Sequence, residues 1–497
     1  MQENMIRTWL LLLLSCLSFP LCAQQDSLQA SVLQSDSLRL APAPKPRPWL
    51  AFVESEGLNL GLLAFDHFVL KEDFAKVTLK TVRRNAKMGE WFWDSDYAYT
   101  NLFEHPYHGA LYYNSARSNG LTFWQSAPFA VGGSLLWEIA GESELPSVND
   151  FAATSFGGVA IGEVTHRLSS LVLNDRRRGF PRFLTELLAA AIDPPRGLNR
   201  VIRGDAWRIR RSHHLYHDFK RVPIDLNFSS GWRHVNTSGI KKSSMNTVFF
   251  DFSIRYGNAV PQRKERPYDY FMADARVVVG AHQNMLNRAD IIGRLKGWQM
   301  SDSASTWQTG FGLYQFFGYH YTNSIHDGET PYILSEAASL GAGFTFCRRP
   351  GKGTSSPRIE AAVFASGIGL GGSLTDYSAA DHTRNYNFGS GFSTKMLSLV
   401  EISRRVRLDV RAEYVRMFTW KSYEEAHYKP EIYKTSTQGD AGCTWMTVVT
   451  PVLGIRLSEH YWLSVAGDYL LRHTRYKYHP ATESATRELR MALKYQL

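Results

Sequence analysis

Cysteine is nearly missing from this chain: of 497 residues only Cys16, Cys22, Cys347 and Cys443 carry a thiol. The first two fall in an N-terminal leader and the others stand far apart, which excludes a disulfide-stapled fold and any cysteine metal cluster. One bridge between Cys347 and Cys443, or two separate thiols on strands, both remain open. Long apolar runs are missing too. The longest, Phe151 to Leu173, could span a bilayer by length, but Glu163, His166 and Arg167 fill its second half, at a cost of several kcal/mol in lipid. A packed helix fits it better, and with a mean hydropathy of -0.27 a polytopic helical membrane protein is excluded. There is no Gly-x-Ser-x-Gly elbow, no His-Glu-x-x-His zinc motif and no blade-length repeat. Gly341-Ala342-Gly343 and Gly367 to Gly372 sit inside strand patterns with no helix after them. They suit bends or close packing, not a phosphate cradle.

What is present points to export. Arg7, the apolar Trp9 to Leu14 and the ending Leu21-Cys22-Ala23 make a secretory signal over residues 1–23, cleaved before Gln24 and too short to span a membrane. Leu14-Ser15-Cys16 is an alternative lipoprotein cut. Residues 24–48, with Ala41-Pro42-Ala43-Pro44-Lys45-Pro46, form an extended tether. The formal charge of +10 in an exported chain faces lipid phosphates and lipopolysaccharide, so nucleic acid is not an expected partner.

Residues 49–221 have helical patterning: Leu58 to Leu70 continued by Phe74 to Val82, then Phe129 to Ala140, Phe151 to Leu173 and Phe183 to Ile192. Ser147 is placed to cap the third of these, with Asp150 returning the bond. Gly158 and Gly162 give that helix a small-residue face.

From residue 222 the period changes to two. Val406, Leu408, Val410, Ala412 and Tyr414 alternate with Arg407, Asp409, Arg411 and Glu413. At the C-terminus Leu489, Met491, Leu493, Tyr495 and Leu497 alternate with Glu488, Arg490, Ala492, Lys494 and Gln496. Charges of both signs on one face suit a wet lumen, and the 13% of aromatics suits the headgroup girdles of a barrel. About twelve such runs reach Leu497. Short connections at Glu401 to Arg405 and Leu457 to Tyr461 alternate with long ones at Thr375 to Asn385 and Lys421 to Gly439. The expected fold is mainly β: an outer-membrane antiparallel β-barrel over 222–497, with an N-terminal α-helical plug or periplasmic bundle over 49–221.

The densest polar constellation is helical: His105, His108, Asn114, Arg117, Glu138, Asp150, Glu163 and His166. Glu163 and His166 stand at i, i+3, a spacing used in bundle metal sites, and an imidazole beside a carboxylate could act as a general base on a lipid ester. His105, His108, Glu138, Glu163 and His166 are therefore the catalytic candidates. The alternative is a set of buried pairs that locks the helices. No third metal ligand is evident, so neither a metal nor another cofactor is expected. Arg176, Arg177, Arg178 and Arg203 are candidate lipid-headgroup ligands, or a solvated rim.

Residues Trp93 to Trp207 resemble the family called domain of unknown function 3943. The resemblance rests on Asn101-Leu102-Phe103-Glu104-His105-Pro106-Tyr107-His108-Gly109, Ala116-Arg117-Ser118-Asn119-Gly120, Leu136-Trp137-Glu138, Pro146-Ser147-Val148-Asn149-Asp150, Gly162-Glu163 and Arg196-Gly197-Leu198-Asn199-Arg200. It implies an exported Gram-negative envelope protein and assigns no activity. The expected role is passage or placement of a lipid-like or small molecule. The alternative is a membrane-embedded enzyme acting on phospholipid or lipopolysaccharide, with the non-enzymatic reading preferred. Expected partners are outer-membrane lipid or lipopolysaccharide and the barrel-assembly machinery; the oligomeric state is not legible. The outer loop with Tyr423, Tyr428 and Tyr433 is a third, surface-binding possibility.

Overall fold

The computed structural model describes residues 45–87, 91–209, 223–239, 242–262, 265–279, 285–301, 305–322, 330–348, 357–377, 385–421 and 437–497. The leader, nearly all of the tether and most of the Lys421 to Gly439 loop, with its three tyrosines, lie outside them.

The period-two segments form twelve antiparallel strands: β1 Ile224–Ser238, β2 Ser243–Tyr256, β3 Phe271–Val279, β4 Leu286–Gln299, β5 Trp307–Thr322, β6 Tyr332–Arg348, β7 Ile359–Leu374, β8 Tyr386–Glu401, β9 Val406–Thr419, β10 Gly442–Arg456, β11 Tyr461–Tyr476 and β12 Thr482–Gln496. They pair in sequence order and β1 closes on β12, so the ring has no free edge. Closure is what lets strands cross hydrocarbon, where each unpaired N–H or C=O costs several kcal/mol. The connections after β8 and β10 are tight, as expected; Leu457 N–H donates to Tyr461 O at 2.8 Å. Cys347 on β6 and Cys443 on β10 do not bridge one another.

β12 separates the two faces. Leu489, Met491 and Leu493 point outward and are 44, 46 and 51% exposed, while Glu488 and Arg490 are buried in the lumen. Trp232, Val248, Leu313, Phe344, Val363, Phe392, Met396 and Leu471 continue the exposed apolar exterior. An apolar outside around a charged inside is the inverse of a soluble barrel and is the solution lipid demands. Glycine fits where the wall is crowded: a Cβ on Gly343 would lie 2.2 Å from the Phe364 ring. Among the described residues no helix is long and apolar enough to cross a membrane.

The helices are α1 Pro48–Phe65, α2 Leu79–Asn85, α3 His105–Ser118, α4 Phe123–Ala140, α5 Val148–Ala152, α6 Gly158–Val172, α7 Gly179–Ile192 and α8 Pro194–Ile202, with single π-helical turns at Asp66–Leu70, Thr100–Glu104 and Ala153–Gly157. The last helix ends at Ile202 and the first strand begins at Ile224, with the expected 221/222 boundary outside the described residues, and the compact units divide the chain differently. Residues 88–106 and 145–160 belong with the barrel, and the rest of the helical part forms its own unit.

Within that helical unit, Gly162 fits against α3, because a Cβ there would fall 2.6 Å from the Tyr113 ring. α7 and α8 meet as closely: a Cβ on Gly197 would lie 2.3 Å from Ala190 Cβ. Asp193 ends α7 and caps α8, its carboxylate accepting the Arg196 N–H at 3.0 Å.

Within the barrel unit, the two helical segments are tied to each other. Phe92 N–H donates to Pro146 O (3.0 Å) and Val148 N–H to Phe92 O (2.9 Å). Ser147 Oγ caps α5 by accepting the Asp150 N–H at 3.3 Å, as its sequence position suggests.

These segments lie on the outward wall. On β5, Phe316 and His320 belong to the lumen face, His320 meeting Asp290 at 2.7 Å, so Gln315, Phe317 and Tyr319 point out. Gln315 Nε2 donates to Phe156 O (2.8 Å), Tyr319 packs against Tyr99 and Phe103, and a Cβ on Gly157 would touch Phe317. On β8, Tyr386 and Phe388 share the outward side with exposed Phe392 and Met396. Asn101 donates to Tyr386 Oη (2.7 Å), which donates to Asp96 O (2.7 Å), and Trp93 packs on Phe388. The expectation of a lumen-filling plug does not hold for these two segments. The outward positions they cover include Gln315 and Tyr386, whose hydrogen bonds to Phe156 O and Asp96 O bare lipid could not supply.

Candidate functional site

Two charged cores carry the chemistry, one in each unit. In the helical unit Glu163 on α6 is fully buried and bound on both sides. Arg117 Nε donates to Oε2 (2.8 Å), Arg167 Nε to Oε1 (2.8 Å) and Tyr113 Oη to Oε2 (2.7 Å). Burial alone would raise this carboxyl; the Arg117 and Arg167 guanidiniums overcome that and hold it below the usual range.

His166, one turn on, belongs to a different cluster. Arg196 Nη2 lies 2.6 Å from its Nε2, and Asp193 Oδ2 lies 3.3 Å from its Nδ1. Arg196 Nη2 lies 2.9 Å from Nδ1 as well, so the guanidinium faces both ring nitrogens. Burial first, then the nearby Arg196, Arg117 and Arg167, push His166 far below the ordinary imidazole range. Burial raises Asp193 to about 6 against the pull of Arg196.

The signs of these two shifts oppose. Below pH ~6.5 the unfolded chain protonates His166 and the folded one does not, so His166 removes stability as pH falls. Between about pH 6 and the unfolded carboxylate range near 4, folded Asp193 takes up a proton first and adds stability as pH falls. Asp193→Asn deletes only the second effect. Its melting temperature should therefore drop more steeply than that of the wild type between pH 7 and 5, measured by circular dichroism; parallel profiles would contradict this assignment.

The remaining candidates separate. His105 lies 3.4 Å from Asp150 within the barrel unit. His108 Nε2 is 2.9 Å from Tyr112 Oη in the helical unit, and its ring packs on Trp137. Glu138 is buried, and its backbone carbonyl accepts from Asn85 Nδ2 at 3.4 Å. Among the described residues no three His, Cys, Asp or Glu side chains group to hold a metal ion. Of the headgroup candidates, Arg176 and Arg178 are exposed, whereas Arg203 donates to Ser118 O at 3.2 Å and to Asn119. Sequence reading missed a third buried cluster, in which Arg200 binds Asp175 (2.6 Å) and Glu186 (2.7 Å) and Arg182 reaches both. Its members come from three separate segments with no shared spacing to betray them.

The second charged core crosses the barrel lumen. Glu488 on β12 accepts from Arg233 (2.6 and 2.9 Å) and from Tyr332 Oη on β6 (2.7 Å). In a ring of twelve, β6 and β12 face each other, so opposite walls are joined. Arg411 on β9 reaches Asp290 on β4 (3.3 Å) and Asp274 on β3 (3.7 Å). Arg276 on β3 reaches Asp468 on β11 (3.9 Å), and Lys395 on β8 binds Glu336 (2.9 Å) and Glu413.

Beyond this belt the end with the long loops is latched by Asp376, just past β7. It accepts from Arg472 on β11 (2.5 and 2.8 Å), Tyr476 (2.8 Å) and Thr482 (2.6 Å). Although burial favours its neutral form, the Arg472 hydrogen bonds hold Asp376 below the usual carboxylate range. Toward the end where β1 begins and β12 ends, the lumen opens as a chamber of about 240 Å³.

A closed strand ring, greasy outside and charged within, defines an integral β-barrel of the bacterial outer-membrane kind. Within the chain, residues 90–195 carry the domain described as Domain of unknown function (DUF3943), which bears out the resemblance read from the motifs. No curated protein matches the chain. Among solved structures it is similar to the NanC porin (9% identity, 54% of this chain, 98% of that one, TM-score 0.25). It is also similar to an outer-membrane channel from Pseudomonas putida F1 (7%, 56%, 97%, 0.27) and to the toluene transporter TodX from Pseudomonas putida (7%, 56%, 91%, 0.22). Likeness at these scores carries no argument; the barrel rests on its own strand order.

Proposed function

We propose that this chain is an outer-membrane barrel, delivered by a cleaved signal and inserted by the barrel-assembly machinery, that holds or passes a small polar molecule only when its lumen network opens. At rest it is closed. The observation that carries this reading is the Tyr332–Glu488 hydrogen bond between opposite walls, supported by the Asp376 latch. Cationic side chains outnumber acidic ones around the chamber, where Arg255, Arg407, Arg411 and Lys494 contribute. Lys494 makes no hydrogen bond or ion pair among the described residues, so the chamber favours an anionic guest.

The test is ion conductance in planar bilayers. Wild-type protein should give no steady current. The double variant Tyr332→Ala, Arg472→Ala removes one tie from the belt and releases Asp376 to water, and it should give discrete open steps. A large steady current from the wild type would end the closed-lumen reading. The enzyme alternative gains no support from Glu163 and His166, whose polar atoms are engaged by buried arginine and aspartate partners.

A further inference from the structure

In the helical unit the usual distribution of polarity is reversed. The buried side of α1 is Ala51, Ser55 and Asn59, while Trp49 (74% exposed), Phe52, Val53, Leu60 and Phe65 face out, continued by Phe68 (74%) and Val69 in the π turn. On α4, Ser126, Gly133, Ser134 and Glu138 are buried with Phe123, Ala130 and Trp137, and Trp124, Val131 and Leu136 are exposed. On α7, Arg182 and Thr185 are buried with Leu188 and Ala189, and Phe180 (68%), Phe183 (59%) and Leu187 are exposed. On α8, Arg196, Asn199 and Arg200 are buried, and Leu198, Val201 and Ile202 (62%) are exposed. The Glu186–Arg200 pair (2.7 Å) and the Arg182 hydrogen bond to Ala206 O (2.6 Å) tie α7 to α8 and the turn after it through their polar residues.

Single exposed apolar residues are ordinary, but three helices that bury charges and a fourth that buries only small and polar residues, all with large apolar side chains outside, are not. That arrangement is the one bilayers impose, where ionisable groups turn inward and pair. We propose that the helical unit is immersed in the acyl-chain layer of the membrane the barrel spans, lying in it monotopically. Its longest helices have 18 residues, roughly 27 Å at about 1.5 Å per residue, and none has the apolar length to cross.

One further observation names lipid as the occupant. Exposed Arg176 and Arg178 immediately precede Phe180, which sets guanidinium groups at headgroup depth beside aromatics in the hydrocarbon.

The test uses the full chain with its four cysteines changed to serine, reconstituted in phospholipid vesicles. A nitrobenzoxadiazole probe is placed by Phe68→Cys, Phe183→Cys or Leu198→Cys. Leu493→Cys on the outward wall of β12 serves as the lipid control, and Glu483→Cys, whose side chain is 78% exposed, as the water control. Heat-modifiable gel mobility confirms folding of each variant. Nitroxide carried on lipid acyl chains should quench the three probes at least half as strongly as at 493, with iodide quenching several-fold weaker than at 483. Iodide quenching equal to that at 483 would overturn the proposal. So would shielding from both quenchers, which would mean that protein covers these faces. Neither result depends on whether the lumen conducts.

Discussion

Glu163→Ala should abolish the protease resistance of the helical unit while the barrel keeps its heat-modifiable mobility. The substitution leaves Arg117 and Arg167, both nearly inaccessible, without their shared counter-ion. Breaking one buried pair costs about 3–5 kcal/mol, and here one carboxylate serves two guanidiniums and a tyrosine. Set against a domain stability of about 5–15 kcal/mol, that loss decides the outcome. Because the Glu163 carboxyl is depressed in the folded state, its contribution is complete above pH ~4.3 and disappears only as pH falls through the lower folded value. A triple variant, Glu163→Leu, Arg117→Leu, Arg167→Leu, should recover much of the resistance, since apolar replacement of a whole buried ion cluster is often neutral. Unchanged proteolysis of Glu163→Ala at pH 7.5 would show that the triad does not hold the unit together.

Glu488→Ala should have an equally large effect on the barrel. Arg233, with no exposed side-chain surface, would lose its counter-ion and keep Thr322 Oγ1 at 3.1 Å, Tyr332 would lose Glu488 as acceptor, and Arg276 and Arg490 would lose a neighbouring charge at 3.7 and 3.1 Å. An unpaired buried arginine costs several kcal/mol, so folding yield into detergent or vesicles should fall by an order of magnitude or more. The partner substitution Arg233→Met in the same chain should restore most of it, which separates an orphaned charge from a general packing defect. If the single variant folds with wild-type yield, water already reaches this part of the lumen and the belt is looser than the distances imply.

How much of this was legible in the sequence depends on how local the cause is. β9 and β12 could be read because each residue's face follows from parity, and the lumen charges fall on one parity without interruption. β5 could not. Its register slips at Phe316/Gly318 against β6, and its outward Gln315 and Tyr319 look like lumen residues by polarity. They are outward because a helical segment distant in sequence covers them, and alternation carries no information about that. α3 was equally hidden: His105, Asn114, Ser115 and Arg117 are polar, yet three of them are buried alongside Ala110, Tyr112, Tyr113 and Ala116, so buried polar and apolar positions are mixed around the helix and leave no amphipathic period to read. The i, i+3 spacing of Glu163 and His166 correctly placed them on one helix. It could not say that one would answer to Arg117 and Arg167 and the other to Arg196 and Asp193, since Arg117 arrives from α3, Asp193 from the turn before α8 and Arg196 from α8, and only Arg167 shares their helix. The recognisable motifs near 101–109, 146–150 and 196–200 thus mark places where buried polar groups find their partners, with no reaction centre required to explain them.

The ties across the lumen have a mechanical consequence. A hollow cylinder one strand thick flattens easily, because bending it into an oval breaks no hydrogen bonds. Tyr332 to Glu488 and Arg411 to Asp290 are chords of that circle, set at different azimuths, and any flattening along one diameter must stretch a chord along another. The wall is braced like a spoked wheel, so it can keep a round cross-section even though its surroundings are asymmetric, with fluid hydrocarbon along one arc and folded polypeptide along the other.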